Sequence, residues 1–223
     1  HRTSRRQRQM CIRDSTLRAA LISILNVGME DSSWEQCSLP VRMGGLGVRS
    51  ASEVSLPAYL SSVSATFECI TPLLPTYLRN EVNPFFAHAT FQWSNLLSGE
   101  DLPIKKSVQA AWDIPLCKKR FENLLQSANT TEDKARLMAV SSEHASDWLN
   151  CVPLPSMSLK LNRQTLRIAV ALRLGSRICK PHKCHCKDKD TGQPGIVDIK
   201  GLHGLSCASA GGKGRIARHD RAN

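Results

Sequence analysis

The sequence predicts a mainly α chain: an irregular helical domain followed by a small module rich in Cys and His. Three observations predict it. Helix start and stop signals recur between residues 16 and 175. No segment of any length alternates apolar and polar residues as a half-buried strand does. The stretch 179–223 carries four Cys and four His but no apolar run that could form a core. Apolar residues make up 41% of the chain and aromatics 5%, so a core is affordable and must be built largely from Leu, Val, Ile and Ala.

The elements follow in order. Residues 1–15, HRTSRRQRQMCIRDS, lack either periodicity and resemble the translated remnant of a sequencing adaptor. They are expected to be non-native or disordered and to pack against nothing. Thr16 to Val27 reads as a helix, with Thr16 as its cap and Gly28 as its stop. Residues 39–49, LPVRMGGLGVR, read as a loop or tight turn. Ser50 and Glu53 form the Ser-x-x-Glu pattern of a capping box. It should open a helix running to about Phe67, kinked or broken near Pro57.

Pro72, Pro75 and Pro84 make 70–90 a region of short pieces. Lys105 to Trp112 and Leu116 to Ala128 read as two helices parted at Pro115. Thr131, with Glu132 and Asp133 behind it, is a helix start, because acids favour the positive end of the helix dipole. That helix carries Ala135, Leu137 and Met138 and, after a break, Trp148 and Leu149; Pro153 and Pro155 end it. Asn162 caps a last helix that runs to Leu174 and stops at Gly175. The expected division is 16–159 as the helical domain, 160–178 as an Arg-rich helix, and 179–223 as the basic Cys/His module.

Charge is unevenly placed. The net charge is +11. Residues 1–20 carry six Arg against one Asp, and residues 21–159 carry ten Lys and Arg against fourteen acids. Residues 160–223 carry fourteen against four. A basic block of this kind meets phosphate through counterion release, or else is a solubilising tail. In the last helix Arg163, Arg167, Arg173 and Arg177 share one arc, which invites phosphate. Leu166, Val170 and Leu174 share the same arc, which favours a core helix with Arg stems along it. Lys180, Lys183, Lys213, Arg215 and Arg218 complete the candidate nucleic-acid contacts.

Nine Cys are present. Cys11, Cys37, Cys69, Cys117 and Cys151 are scattered singly and read as small core hydrophobes or incidental thiols. An odd total with uneven spacing argues against a disulfide framework. Cys184, Cys186, His203 and Cys207 are the candidate ligands of a Zn2+ ion, which prefers thiolate and imidazole in a tetrahedron. Two close ligands form one half, and His203-x3-Cys207 forms the other. A structural zinc is favoured over a catalytic one, since four protein ligands leave no open position. The first half is Cys-x-Cys rather than Cys-x2-Cys, which calls for a sharp backbone turn at His185. Cys179, His182, His185 and His219 are candidate substitutes. No apolar stretch approaches the roughly 20 residues that span a bilayer, and the Arg-rich first segment does not read as a secretory signal. A nuclear or cytoplasmic place is expected. Many Cys/His pairs exist on paper, but none sits in a strand–elbow–helix setting that would make it a hydrolase.

Several motifs resemble one family in their order. Trp34-x-Gln36 with LPVRMGGLGVRSASEVSLPAYLSS (39–62) is similar to the segment after the polymerase domain of non-LTR retrotransposon reverse transcriptases. Ala135-Arg136-Leu137, Trp148-Leu149, Arg173-Leu174-Gly175, Cys184/Cys186, Gly201-Leu202-His203 with Cys207, and Arg218-His219 follow in that family's order. The resemblance runs from about residue 34 to the end. It implies a thumb- or linker-like helical region and a Cys-Cys-His-Cys zinc knuckle, of the type that precedes a restriction-enzyme-like endonuclease. It further implies DNA or RNA and the rest of a parent polyprotein as partners. No Tyr-x-Asp-Asp motif is present, and four residues follow His219. The chain is therefore expected to be a non-catalytic, nucleic-acid-binding fragment of such an RNA-directed DNA polymerase. The alternative is a stand-alone zinc adaptor that binds proteins. The fragment reading predicts an adjacent Asp pair encoded upstream of Thr16 and a carboxylate–Lys nuclease core downstream of Asn223. Sequencing the locus checks it, and a native start and stop at the two ends would overturn it.

Overall fold

A computed structural model describes residues 5–78, 84–157, 159–187 and 192–207. The order is α1 (Arg5–Leu25), α2 (Asp31–Ser38), α3 (Ala51–Ile70), α4 (Pro84–Leu96), α5 (Gln109–Ser127), α6 (Thr131–Val140), α7 (Asp147–Asn150), α8 (Arg163–Leu174), β1 (His182–Lys187), β2 (Pro194–Val197) and α9 (His203–Ser206). Short 3-10 turns join several of them. The mainly helical expectation holds. The chain forms two compact units, residues 1–21 with 34–151, and residues 22–33 with 152–223. Among the described residues no helix is long and apolar enough to cross a membrane.

The first unit is built on α3, which packs against α4 and α5. Leu60, Ala89, Trp93, Leu97 and Trp112 form one buried cluster. Trp93 and Trp112 meet edge to face, their centroids 5.3 Å apart. Both indole N–H groups are satisfied: Trp93 donates to the Trp112 carbonyl at 2.9 Å and Trp112 to the Lys106 carbonyl at 2.7 Å. Buried aromatics require such partners. A second cluster joins Leu39, Cys117, Leu124 and Leu137. Cys37 and Cys117 are fully buried, as small apolar residues would be, and burial pushes the Cys37 thiol up to about 12. Cys11, Cys69 and Cys151 are exposed.

Residues 39–49 turn tightly, as expected, through a 3-10 turn at Val41–Met43 and a left-handed Gly44. A Cβ on Gly45 would stand 2.0 Å from the Leu39 carbonyl oxygen, so only glycine fits there. Buried Gln36 fastens the turn. Its amide N–H donates to the Gly44 carbonyl at 2.9 Å, and its oxygen accepts from Arg136 at 2.7 Å.

Several expectations are corrected. α1 starts at Arg5 rather than Thr16, and residue 14 of the segment expected to be disordered is held in place. The Ser50/Glu53 capping box does not form: Ser50 is the N-cap but makes no side-chain cap bond. Asp14 caps α3 instead, accepting from the Ser50 hydroxyl at 2.5 Å and the Ala51 N–H at 2.9 Å. Glu53 pairs with Arg120. Pro57 and Pro115 do not break their helices; α5 runs unbroken where two helices were expected. Packing outweighs the missing N–H: Pro57 is fully buried, and Trp112 and Cys117 beside Pro115 are core. The region 70–90 includes the start of α4, whose outer residues Phe85 and Phe91 are as apolar as its inner ones, which hides its period. α6 does start at Thr131 as expected, and Thr130 caps it, accepting the Asp133 N–H at 3.1 Å.

In the second unit α8 is as predicted. Asn162 accepts the Thr165 N–H at 2.8 Å. Gly175 closes the helix in the left-handed conformation, with Gly175 N–H on Leu172 and Ser176 N–H on Ala171. The Ser33 hydroxyl donates to the Leu174 carbonyl at 3.2 Å. The absence of strands is overturned: β1 and β2 pair as an antiparallel hairpin.

Two predictions follow from these contacts. Trp112→Ala is expected to cost about 3–5 kcal/mol in urea unfolding, as large core truncations do. Asp14→Ala, or deletion of residues 1–15, is expected to cost about 1 kcal/mol at pH 7. Burial pushes the Asp14 carboxyl up, but bonds from Ser50, Ala51 and Ser52 outweigh it and hold it below the ordinary carboxylate value. That stabilisation is present above the unfolded-chain pKa and is lost as pH falls through the native one. Parent and Asp14→Ala stabilities should therefore converge in acid, which denaturation curves at stepped pH would check.

Candidate metal centre

Four side chains converge in the second unit. The ligand atoms of Cys184, Cys186, His203 and Cys207 all lie within 4.8 Å of one another. Cys184 Sγ and Cys207 Sγ are 3.7 Å apart, and Cys186 Sγ and His203 Nε2 are 3.2 Å apart. With metal–sulfur bonds of about 2.3 Å, a tetrahedral S–S edge is about 3.8 Å. The S–S edge fits, and the S–N edge fits within a few tenths of an ångström. The group can hold a metal ion.

Local structure explains the convergence. Residues two apart in a strand face the same side, so Cys184 and Cys186 both point inward from β1. The sharp turn expected at His185 is not needed. The ladder pairs His182 with Val197 and Lys183 with Ile196, then jumps to Lys187 with Pro194. Three residues of β1 thus bulge opposite Gly195 alone. The Cys186 N–H points at Cys184 Sγ, 3.5 Å away. That bond holds the Cys184 thiol below its ordinary value, while burial pushes Cys186 up. A Cβ on Gly195 would lie 2.5 Å from the His203 ring and 2.7 Å from Cys186 Sγ. The bare glycine leaves room for both donors.

His203 and Cys207 lie one helical turn apart, and the Cys207 N–H donates to the His203 carbonyl at 2.8 Å. Asp198 sets where that turn begins. Its carboxylate accepts the Leu202 N–H at 2.9 Å and the Lys200 N–H at 3.2 Å, and its carbonyl accepts the Gly201 N–H at 3.0 Å. The N–H groups of Ile178 and Cys179 bind the Ile199 carbonyl from the other side. Gly195 and Asp198 were not singled out in the sequence. A Pro-Gly step inside a short strand is the signal that marks a bulge or a close approach.

The candidate substitutes stand elsewhere. The Cys179 thiol donates to the Asp198 carbonyl at 3.3 Å. His182 Nδ1 is 2.9 Å from the Lys180 carbonyl, and His185 faces outward. His219, Lys213, Arg215 and Arg218 lie outside the described residues. Of the α8 arc, Arg163 is exposed and Arg167 half-buried. Arg173 is 4% exposed and turned into the protein, which corrects its assignment to a nucleic-acid face. Burial lowers its pKa from the ordinary value. Arg177 pairs with Glu30 at 3.1 Å. Lys180 and Lys183 are exposed.

No protein-family model matches this chain, and neither a curated protein nor a solved structure matches it.

Gly195→Ala is expected to lower metal affinity by at least tenfold, read by competition with a coloured chelator. Asp198→Ala should cost about 10–100-fold, the range for groups that orient ligands without touching the metal. Asp198→Asn, which keeps one acceptor oxygen, should fall between Asp198→Ala and the parent.

Proposed function

We propose that this chain is a nucleic-acid-binding protein whose C-terminal module is ordered by one structural zinc ion. In this reading it corresponds to the region after the polymerase domain of non-LTR retroelement reverse transcriptases. The observation that carries the proposal is the meeting of Cys184, Cys186, His203 and Cys207 at one point. Three soft thiolates and an imidazole in a tetrahedron suit zinc, and four protein ligands make a structural site. Among the described residues of 179–207, the buried apolar or thiol side chains are Cys186, Val197 and Cys207. With so small a core, metal-binding free energy would serve as folding free energy.

The nucleic-acid half of the proposal draws on the fourteen cationic residues against four acids in 160–223. The family half draws on contacts in the first unit. Gln36 of the Trp-x-Gln motif binds Arg136 of the Ala-Arg-Leu motif, and Leu39 shares a cluster with Leu137. Ser146, just before Trp148-Leu149, donates to the Val41 carbonyl at 2.8 Å. Residues that carry the resemblance from separate parts of the sequence therefore meet in space, as parts of one folded unit would. The chain would bind and position DNA or RNA beside the other parts of its polyprotein, with no chemistry of its own.

Elemental analysis of the reduced, folded chain should find about one zinc, and Cys184→Ser or His203→Ala should release it. Absence of stoichiometric zinc would remove the metal half. Nucleic-acid affinity should fall steeply with added salt and depend little on sequence. A flat salt response would favour the protein-binding adaptor.

A further inference from the structure

We propose that the outward face of β1, formed by Lys183, His185 and Lys187, is the surface on which this module seats the phosphodiester backbone of a nucleic acid. The metal centre on the other face of the same strand holds that surface in shape. The proposal rests on the nucleic-acid reading above and names the surface that reading leaves open.

Residues 183–187 read Lys-Cys-His-Cys-Lys. A strand sends successive side chains to opposite faces. Cys184 and Cys186 turn inward, half-buried and buried, while Lys183, His185 and Lys187 are all exposed. One five-residue run thus supplies two metal donors on one side and three basic groups on the other. Ile196, opposite Lys183 in the ladder, is 74% exposed and adds no charge to this face. Among the described residues none of these three basic side chains is in an ion pair. The competing surface on α8 is poorer: Arg173 is buried and Arg177 is taken by Glu30.

The chemistry fits phosphate. A lysine ammonium meets a phosphate oxygen as a point charge, and an imidazole N–H can donate to its neighbour. Such contacts position a strand without reading bases. Because β1 has polar side chains on its outer face and thiols on its inner one, no hydrophobic pattern fixes its pleat. Loss of the metal would free the strand and scatter the three groups. Coupling of this kind is reciprocal, so bound nucleic acid should tighten metal binding by the same factor that metal tightens nucleic-acid binding.

The test uses the full zinc-loaded chain and a fluorescent 20-base-pair DNA, with single-stranded DNA and RNA of equal length as further arms. Anisotropy is read over a salt series. Lys183→Ala/Lys187→Ala is expected to keep its zinc and to flatten the salt slope on the duplex by about two, about one per lost phosphate contact. His185→Ala should weaken binding by a few-fold with zinc retained. Chelation of the metal should weaken binding in the parent and have little further effect in the double variant. The single-stranded DNA and RNA arms should show the same loss, since the backbone is common to all three. An unchanged slope in the double variant, with the loss falling instead on Arg163→Ala/Arg167→Ala, would move the contact to α8. That result would overturn the assignment and leave the nucleic-acid reading standing. No salt-dependent binding by the parent would overturn both. Tighter binding to phosphatidylserine vesicles than to any nucleic acid would overturn the choice of partner.

Discussion

The Cys/His module at 179–207 answers one demand: three thiols and an imidazole from a hairpin and a short helix must meet at one point. Among the described residues of this stretch, Cys186, Val197 and Cys207 are the buried ones. Every local device serves the demand. The alternation of β1 brings Cys184 and Cys186 to one side, Gly195 clears the space in front of them, and Asp198 sets the start of the turn that carries His203 and Cys207. This module is therefore arranged around its candidate donors, whereas α8 and the segment before α2 in the same unit bury Val27, Met29, Val170, Ala171 and Leu174. The first unit is organised in the usual direction, from its apolar clusters outward.

The first unit carries a constraint of its own at the turn after α2. Gly45 lies so close to the Leu39 carbonyl that no side chain fits. The buried amide of Gln36 bridges that turn to Arg136, at a cost in desolvation that shows in the lowered pKa of Arg136. A buried amide repays such a cost only when both its ends are bonded, as here. The polar groups fix which backbone segments meet, and the surrounding Leu39, Leu124 and Leu137 supply the burial.

What could be read from the sequence divides along one line. α8 was legible because both of its ends are written in neighbouring residues: Asn162 bonds three residues ahead, and Gly175 closes the last turn. The four donors were legible because few residue types bind metal and the Cys cluster is dense. The cap of α3 was not, because its partner is distant: Asp14, 36 residues before Ser50, accepts from the Ser50 hydroxyl and the first N–H groups of the helix in place of the local pair. Pro57 and Pro115 misled for a related reason, since the local cost of a proline is certain while the packing that offsets it is invisible along the chain. The hairpin escaped because its alternation is of thiol and cation rather than apolar and polar. Gly195 and Asp198 escaped because they touch the site only through space and backbone.

That alternation has a consequence for parity. Most strands choose their register through a greasy face, and a slip by one residue is penalised by turning that face to water. β1 has no such face. A slip by one position would carry Lys183, His185 and Lys187 toward the site and turn both thiols to solvent. Odd and even positions of this strand are thus told apart by which of them bring thiols to the Cys/His cluster. An insertion or deletion of a single residue between Lys183 and Lys187 would break up the Cys/His cluster and the charge display in one step, whereas a change of two residues could preserve the pattern and only shift it along the ladder.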